Sequence, residues 1–574
     1  MGALRFHNRC FVVGACVAGT WLLALLVPAA SEGALPNCAQ QNPPASDWRA
    51  ARQPAQSSPA VPIPPGAWIG DVSVEVVDVF DARVPAERGW APGVANTLHV
   101  NTRESIVRRE LLFAPGDPYD AERLLQTERN LRALGVFRKV EVRAVPSGEG
   151  IVTVHVKVQD AWTLRLGGSF SRQGGVNTYD VRLGDANVAG LGFAAGLRYA
   201  VGFERSEYDA SLVQSRLLGT RERLAAGYAD RSDGIAREAS VSRPFFAIDT
   251  AWGHEASFRS WDERYRLYED GESSHEYGLR AVDATLGVAA RLGPPRPNSA
   301  WRLGAGYRFT AREYTLLPGS TPADADLMPI PHRWGGPSAS LQFVQHRFET
   351  RSNLISPDRD VDFNLGLQAS LGLLVSAPGT GPRTDSRVLA SGSLAHGWRL
   401  GSSALAMASG WVATESGGGQ EARAEIAGNA RAWFPRSATH VRAVLLDVRL
   451  RAHPEPGVWY YLGGSEGLWG FRERQFAGTK RVLLIGEERK YFGWRPWNLL
   501  QPGIATFAEV GALWGEGQSF GSDAVHADVG GGLRVAVLKS ARDLLLTLDV
   551  AIPLTRSPTG DQRPRLVAGL RREF

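Results

Sequence analysis

The feature that most constrains this chain is the strict alternation of apolar and polar residues near its C-terminus. Between Leu544 and Leu554 every second residue is Leu, Val or Ile, and the residues between them include Thr547 and Asp549. Because neighbouring residues of a strand point to opposite faces, one face is apolar and the other is wetter. Similar segments fill the chain from about Trp162 onward. A sheet in a bilayer must close, since an open edge leaves unpaired backbone groups in lipid. The pattern predicts a mainly β chain that forms a transmembrane antiparallel β-barrel.

The overall composition separates this prediction from a helical membrane protein. The chain has 574 residues and a mean hydropathy of −0.18, which is ordinary for a soluble protein. A helical membrane protein shows several apolar runs of about 20 residues, and this chain has one, at its start. The alternative is a soluble protein with several sheets. The N-terminal run and the apolar rows of the strands argue against that alternative.

The N-terminus has the pattern of a secretory signal peptide. Arg5 and Arg9 precede an apolar run from Phe11 to Pro28, and the small residues Ala29, Ala30 and Ser31 follow. A basic start, an apolar centre and a small-residue cleavage site define such a peptide, which we place at residues 1–30. The alternative is a retained membrane anchor. Export of the chain agrees with a barrel in the outer membrane.

A proline-rich linker follows at residues 31–66, where eight prolines occur among Ser, Gln and Ala. Such a composition favours an extended chain without a packed core. Cys38 lies in this linker and is the only cysteine of the mature chain, so no intrachain disulfide is expected. The residues before Cys38 include no small residue directly ahead of it, which argues against lipidation.

Charge and motifs argue against several classes of function. The net charge is +5, and the two arginines of residues 1–30 leave +3 for the mature chain, too little to predict nucleic-acid binding. The 11 histidines show no metal-ligand spacing, so we expect no metal and no cofactor. Gly463–Gly467 fits G-x-S-x-G but lacks the helix that a nucleophile elbow needs. Gly190–Gly196 misses the dinucleotide-binding spacing by one residue. We therefore expect no enzymatic activity.

A small α+β domain is predicted at residues 67–160. The predicted elements are a strand within 71–80, a helix from Asn101 or Thr102 to about Phe113, a helix capped by Asp120, and strands Phe137–Val142 and Ile151–Gln159. This β-α-α-β-β order allows the two helices to cover one face of a small sheet.

This domain resembles a POTRA (polypeptide-transport-associated) domain. The segment Leu131–Val142 reads L-x-x-L-G-x-F-x-x-V-x-V, and Val107–Gly116 followed by Asp117–Asp120 also matches. The resemblance implies a periplasmic domain that receives a client protein by β-augmentation, in which an extended segment joins the edge of a sheet.

The barrel, residues 161–574, resembles that of the BamA/TamA-like outer-membrane assembly family, also called the bacterial surface antigen family. Gly184–Asn187 with Gly190–Gly192 is similar to its early barrel pattern, and Phe507–Gly511 to a late strand. Its signature extracellular loop, which folds back into the barrel, corresponds to Gly463, Gly464, Leu468, Trp469, Gly470, Phe471 and Arg472. The implied partners of that loop in the lumen are Glu487, Arg489 and Glu509.

Two positions depart from the family pattern. Trp469 stands where the family loop usually has Arg, and Glu509 stands where the later strand usually has Asp. The family Arg is expected to hold the loop through a charge-assisted contact with lumen carboxylates, which Trp469 cannot make. Either Arg472 or Arg474 replaces it, or stacking holds the loop. A simpler alternative is that the glycines of this motif are ordinary turn residues.

The number of strands and the C-terminus complete the prediction. By eye about 20 segments alternate, whereas the family resemblance favours about 16 strands, and both numbers are even, as a barrel with both ends in the periplasm requires. Gly569 and Phe574 resemble the C-terminal signal that delivers a barrel protein to the assembly machinery, while Arg572 departs from that signal.

Three functions remain open from the sequence. The first is insertion or translocation of client proteins at the outer membrane, with the POTRA domain in the periplasm and a seam formed by Trp162–Phe170 and Leu566–Phe574. The second is a passive pore or lipid-handling barrel with the POTRA domain as a scaffold. The third is export of a separately encoded effector. The expected partners are the outer-membrane bilayer, an unfolded or exported client, and the assembly machinery for the barrel's own insertion.

Overall fold

The protein is described here from a computed structural model. The structure describes residues 63–80, 96–97, 99–161, 163–357, 360–377, 386–418, 420–496, 500–515, 518, 520–538, 545–557 and 560–571. The predicted signal peptide, most of the predicted linker with Cys38, and Trp162, Leu544, Arg572 and Phe574 lie outside these residues.

The N-terminal domain has the predicted β-α-α-β-β order. Its elements are β1 (Trp68–Val77), α1 (Glu104–Glu110), α2 (Ala121–Ala133), β2 (Phe137–Gly148) and β3 (Ile151–Asp160). The strand order in the sheet is β1-β3-β2, with β1 parallel and β2 antiparallel to β3. Alternate valines of β3 are fully buried and pack with residues of both helices, Val107 and Leu131 among them. The helices therefore cover one face, and β1 and β2 are the sheet edges.

The start of α1 corrects one prediction. Neither Asn101 nor Thr102 is its N-cap; that position is Arg103, whose side chain makes no capping bond. Thr102 is used elsewhere, because its N–H donates to the Asp160 carboxylate at 2.6 Å and its hydroxyl accepts from Asn187 Nδ2 at 2.6 Å. The residues predicted to cap the helix instead connect this domain to the barrel.

The ends of the helices show one further correction and one confirmation. α1 ends at Glu110 rather than near Phe113, since Leu111 is in extended conformation (φ −63°, ψ 134°). Asp120 is the N-cap of α2, as predicted, and its side chain accepts from the Glu122 N–H at 2.9 Å.

The rest of the chain is a closed antiparallel barrel of 20 strands. Its strands are β4 (Leu164–Gln173), β5 (Val176–Asp185), β6 (Phe193–Val201), β7 (Ser206–Gln214), β8 (Arg223–Arg231), β9 (Gly234–Arg243), β10 (Trp252–Glu269), β11 (Glu272–Leu292), β12 (Ser299–Leu316), β13 (His332–Gln345), β16 (Gln368–Ser376), β17 (Arg387–Leu400), β18 (Ala404–Gly417), β19 (Gln420–Ser437), β20 (His440–Ala452), β23 (Lys480–Tyr491), β24 (Leu500–Trp514), β25 (Val525–Val537), β26 (Leu545–Pro553) and β27 (Arg565–Arg571). Two strand pairs and one short helix are not part of the closed sheet. They are β14 (Phe348–Ser352) with β15 (Asp360–Asn364), β21 (Tyr460–Leu462) with β22 (Phe476–Gly478), and α3 (Pro322–Leu327).

The strand number is the upper end of the predicted range rather than the 16 that the family resemblance favoured. The reason lies in the first part of the barrel. Each of the strands β4 to β9 has 9 or 10 residues. That length is sufficient for a tilted strand to cross a bilayer by itself, so none of these segments is half of a longer strand.

The alternation that predicted the barrel is present in β26. Leu546, Leu548 and Val550 are each 45 % exposed on the outer surface, whereas Asp549 and Ala551 are almost completely buried. The outer face is therefore the apolar, lipid-facing one, and the inner face carries the polar residues. In the described part of the chain, no helix has the length and hydrophobicity needed to span a membrane.

Candidate functional site

The connection between β20 and β23, residues 453–479, folds back into the barrel, and we call it the inward loop. Its strands β21 and β22 pair with each other. Buried apolar side chains attach it to the inner wall: Leu462, Leu468, Phe471 and Phe476 pack with Leu483, Ile485 and Leu513. Gly463 and Gly464 begin its tight turn, in which the Gly463 N–H donates to the Gly467 carbonyl at 2.8 Å. The loop is thus a packed part of the lumen.

Two carboxylates on the inner wall hold the tip of the inward loop. Glu509 on β24 accepts from the Trp469 N–H at 2.7 Å, and Asp528 on β25 accepts from the Gly470 N–H at 2.7 Å. The two carboxylates are register partners, and neither is exposed. Arg565 Nε donates to the Gly470 carbonyl at 3.0 Å. A buried carboxylate that accepts an N–H makes a strong, charge-assisted bond, so the backbone of the tip is fixed.

The Trp469 side chain contributes stacking to the same attachment. Its ring meets the Phe507 ring edge to face, with the centroids 4.5 Å apart. Both rings are buried in a cluster with Ala551 and Val567. Such aromatic pairs are stabilising beyond the area that they bury. The position where the family has Arg is therefore occupied by an aromatic anchor.

Arg474 and Arg472 differ in their surroundings. Arg474 is buried, pairs with Glu204, and has its guanidinium 4.7 Å from the centre of the Tyr268 ring. Arg472 is 42 % exposed, and its guanidinium lies 3.8 Å from Glu272. Of the alternatives open from the sequence, the geometry contains both the stacking of the tip and a buried ion pair through Arg474.

The G-x-S-x-G segment is a structural turn of the inward loop. The Ser465 N–H donates to Glu473 Oε2 at 2.8 Å, and the Ser465 hydroxyl also bonds this carboxylate. The Glu473 N–H in turn donates to the Gly174 carbonyl, at 3.1 Å, in the turn between β4 and β5. The loop therefore contacts the first hairpin of the barrel as well as its last strands.

The two other expected partners, Glu487 and Arg489, lie further toward the periplasmic end of β23. Glu487 Oε1 accepts from Arg534 at 3.0 Å, and Arg534 also bonds Asp549. Arg489 Nη1 donates to the Ile355 carbonyl at 3.2 Å. Glu509 is thus the partner that holds the inward loop, whereas Glu487 and Arg489 belong to a lower layer of the lumen.

Ion pairs between different strands line the other side of the lumen. Arg198 lies 2.7 Å from Glu207 and 2.6 Å from Asp209, and Arg231 lies 2.9 Å from Glu263. All five side chains are largely buried. Each of these charges thus faces a buried partner of opposite sign.

The barrel closes at the seam between its first and last strands, β4 and β27. In the described residues this seam pairs Ala568 with Arg172 and Gly569 with Ser171. On its other side β27 pairs with β26 along its whole length. The strands at the seam are those expected from the sequence, but the pairing lies nearer the extracellular end of β4 than expected. In the described part of the chain, which ends at residue 571, β27 has seven residues and these two pairs join it to β4.

The early barrel motif forms the turn between β5 and β6, which docks the N-terminal domain. Asn187 accepts from the Gly192 N–H at 2.7 Å and donates to Thr102 Oγ1. The Arg103 N–H donates to the Gly190 carbonyl at 3.1 Å. A Cβ on Gly190 would lie 2.2 Å from the Asn101 carbonyl oxygen, so only glycine permits this close approach. No feature of the sequence alone linked this motif to the domain.

A buried ion pair and a cation–π contact extend the docking to the next two turns at the same end of the barrel. Glu110 of α1 pairs with Arg216, and both side chains are buried. The Arg221 guanidinium lies 3.7 Å from the centre of the Phe246 ring. Gln126 Nε2 of α2 donates to the Phe246 carbonyl at 3.3 Å. The domain therefore rests on three successive turns of the barrel rim.

Asp160 lies where the domain meets the barrel. It is fully buried, accepts from the Thr102 N–H at 2.6 Å, and lies 3.0 Å from His99 Nε2. Burial raises the pKa of the Asp160 carboxyl, while the bonds from Thr102 and His99 oppose that shift. Asp160, the last residue of β3, therefore connects the end of that strand with Thr102 and His99, which precede α1.

Comparison with known families identifies the N-terminal domain. Residues 98–160 match the family model described as POTRA, surface antigen variable number repeat. This match agrees with the motif at Leu131–Val142 and supports the resemblance to the BamA/TamA-like surface antigen family. The strand β1, which precedes the matched residues, completes the same sheet. No curated protein matches the chain in sequence.

Three solved structures resemble this chain at low sequence identity. BamA from Haemophilus ducreyi lacking POTRA domains 1–3 is 13 % identical over 87 % of this chain and 84 % of that chain, with a TM-score of 0.42. CdiB from Escherichia coli is 12 % identical over 87 % and 76 %, with a TM-score of 0.45. CdiB from Acinetobacter baumannii is 12 % identical over 88 % and 74 %, with a TM-score of 0.42. Likeness at this level concerns the barrel shape and carries no argument about function.

Proposed function

We propose that this chain, a surface-antigen-type POTRA domain joined to a 20-stranded barrel, assists the insertion or translocation of proteins at the outer membrane. The observation that carries the proposal is that, within the described residues, just two register pairs join β4 to β27. Every residue that is unpaired at a strand edge offers backbone donors and acceptors to an incoming strand. The mechanism needs no covalent chemistry, because main-chain hydrogen bonds supply the template.

The edge of the POTRA sheet supports the same proposal. β2 is an edge strand that pairs with β3 on one side. Val145 on β2 is 47 % exposed, so its side chain is accessible to a client segment at this edge. In the proposed mechanism a client segment adds to β2, and the docked POTRA domain holds that segment next to the barrel rim.

The proposal also covers the location of the chain and the boundaries of its domains. Residues 1–30 are the signal peptide, residues 31–66 the linker, residues 67–160 the periplasmic POTRA domain and residues 161–574 the outer-membrane barrel. The C-terminal segment with Gly569 and Phe574 directs the chain to the assembly machinery. The inward loop, with Trp469 at its tip, stabilises the barrel beside the seam, and no enzymatic activity is assigned.

Photocrosslinking in cells tests the role of the POTRA edge. A photoreactive amino acid at Val145 should crosslink to newly exported outer-membrane or secreted proteins. The control position is Leu125 on α2, which is equally exposed at 48 % but lies away from the edge. Equal labelling at both positions, together with an unchanged outer-membrane proteome on depletion of the protein, would refute the proposal. Capture of one secreted effector alone would favour the export alternative.

A disulfide lock tests the role of the seam. In a Cys38→Ser background, the variants Ser171→Cys and Gly569→Cys place two cysteines opposite each other across the seam. The control pair, Thr547→Cys with Gly569→Cys, joins β26 to β27 in the same way. Oxidation of the seam pair should abolish client assembly, and reduction should restore it. The proposal fails if the seam lock and the control lock have the same effect.

A further inference from the structure

The described residues between β13 and β16, which are 346–357 and 360–367, form a feature that we call the periplasmic hairpin. Its strands β14 and β15 pair with each other as a separate two-stranded sheet. The flanking strands β13 and β16 pair directly, so the barrel wall is continuous without the hairpin. The hairpin is therefore an addition to the wall and not a part of it.

The periplasmic hairpin lies inside the lumen. Five of its side chains, Leu354, Ile355, Val361, Phe363 and Leu365, are buried and pack with Leu405, Trp433, Val441 and Ala443 of β18, β19 and β20. These wall residues alternate with outward residues such as Ile426 and Val444, which are 47 % and 40 % exposed, so they face inward. All four lie near the periplasmic ends of their strands.

Polar contacts attach the neck and the base of the hairpin. Arg347 donates to the carbonyls of Leu365 and Gly397, each at 3.1 Å. Arg489 donates to the Ile355 carbonyl, and Arg399 donates to Glu349 at 2.7 Å. These contacts connect the hairpin with the inner side of β17 and β23. Arg489 on the inner face of β23 is thus one of the wall residues that contact the hairpin.

The hairpin also meets the POTRA domain. The Arg129 guanidinium of α2 lies 5.8 Å from the centre of the Phe348 ring at the base of the hairpin. The POTRA domain rests on the turns that precede β6, β8 and β10, and the hairpin covers the inner side of β17 to β20. Together they cover opposite sides of the periplasmic mouth.

We propose that the periplasmic hairpin is a removable plug that closes the lumen on its periplasmic side. The inner wall of a membrane barrel is normally polar, but under the hairpin it is apolar, and the hairpin keeps this surface from water. Because the hairpin is joined to the wall through its two ends, it leaves as a unit while the barrel pairing stays intact. The inference depends on the barrel geometry and goes beyond the proposed assembly function.

The wall contains a position that allows selective displacement of the plug. Gly397 faces inward, and a Cβ there would lie 2.5 Å from Leu365 Cδ2 and 3.0 Å from Leu365 Cα. Gly397→Val should therefore expel the hairpin. Gly392 is on the lipid face of the same strand, where a Cβ would lie 3.5 Å from Leu371 Cδ2, an ordinary contact. Gly392→Val is the matched control.

A buried cysteine reports the position of the plug. Ala443→Cys, in the Cys38→Ser background, places a thiol on the wall under the hairpin, where Ala443 is 5 % exposed. We expect slow labelling by a small methanethiosulfonate reagent in nanodiscs. Gly397→Val should raise the rate about tenfold, which corresponds to about 1.4 kcal/mol in the opening equilibrium. Gly392→Val should leave the rate unchanged.

A second variant keeps the test decisive if Gly397→Val does not fold. Arg347→Ala removes the two bonds at the neck without adding volume, and it should also speed the labelling of Ala443→Cys. Ser402→Cys in an exposed periplasmic turn gives the upper limit of the rate. The proposal is overturned if Ala443→Cys is labelled as fast as Ser402→Cys from the outset. It is also overturned if the rate does not change in a folded displacement variant.

Discussion

At the residue scale, the exchange of Arg for Trp at position 469 changes how the inward loop is held. A guanidinium would reach a lumen carboxylate with its side chain. Here the carboxylates of Glu509 and Asp528 bind the backbone of the tip, and the indole packs on Phe507. A carboxylate accepts from any N–H, so the same acidic wall can hold a tip with a different side chain.

Loss of the indole should loosen the tip. Trp469→Ala removes a buried ring and is expected to lower the free energy of unfolding by about 3–5 kcal/mol, because a cavity remains among Phe507 and its neighbours. The fraction of protein that keeps its folded mobility on gels after heating measures this loss. Trp494→Ala, at a side chain that is 70 % exposed, should have little effect. Equal effects of the two variants would contradict the anchoring role.

Asp160 should make the stability depend on pH. Because burial raises the pKa of its carboxyl in the folded state, the stabilising contribution is complete below the usual pKa and is lost as the pH rises through the raised value. Asp160→Asn should remove this dependence in thermal unfolding between about pH 4 and pH 8. Asp71→Asn, at an exposed position on β1, should keep it. A pH profile that is identical in wild type and Asp160→Asn would exclude this origin.

At the scale of elements, α1 is the part of the POTRA domain that meets the barrel rim most closely. Its Glu110 pairs with Arg216 in the turn between β7 and β8. Arg103, just before the helix, donates to the Gly190 carbonyl in the turn between β5 and β6. A helix of seven residues has little stability of its own, so its conformation depends on this tertiary contact. Docking and folding of α1 are therefore coupled.

Removal of one partner of the Glu110–Arg216 pair should release the domain. Glu110→Ala and Arg216→Ala each leave a buried charge without its partner, which costs about 3–5 kcal/mol. Amide hydrogen exchange in residues 101–111 should rise in both variants, and the double variant should cost less than the sum. Glu104→Ala breaks an exposed ion pair on the same helix and should change little. Additive effects of Glu110→Ala and Arg216→Ala would show that the pair is not coupled.

At the scale of the whole molecule, the barrel is a closed wall whose lumen is occupied from both ends. The inward loop enters from the end opposite the POTRA domain, the periplasmic hairpin enters from the other end, and ion pairs cross the remaining wall. The POTRA domain lies on the rim beside the first strands, next to the short seam. This arrangement favours a lateral path at the seam over a path through the lumen.

The filled lumen should give a low conductance. In planar bilayers we expect the wild-type protein to show no large, steady channels, because the inward loop and the proposed plug occupy the lumen from its two ends. A variant that lacks residues 348–364 and 460–478 should show larger channels. Large, steady channels from the wild-type protein would favour the passive-pore alternative and would count against the closed lumen.

Much of the fold follows from local patterns in the sequence. The alternation around Asp549 is a property of neighbouring residues, so it predicts a strand with one apolar face wherever that strand lies. The need to close a sheet in lipid then requires a barrel. The POTRA motif likewise depends on the close spacing of Leu131, Gly135 and Phe137 within one helix and one strand. Local spacing thus determined both parts of the architecture.

The tertiary structure decided which residues meet. Glu110 and Arg216 are 106 residues apart, and nothing in their local sequence distinguishes them from other charged residues. The inward loop is held through backbone N–H groups, which every residue has, so side-chain identity could not show that Glu509 would bind it while Glu487 and Arg489 would not. The hairpin strands alternate like strands of the wall, and the direct pairing of β13 with β16 placed them in the lumen. The alternation of apolar and polar residues predicts the strands of the barrel wall. Contacts between distant segments depend on strand register and on closure of the sheet, which exist only in the folded barrel.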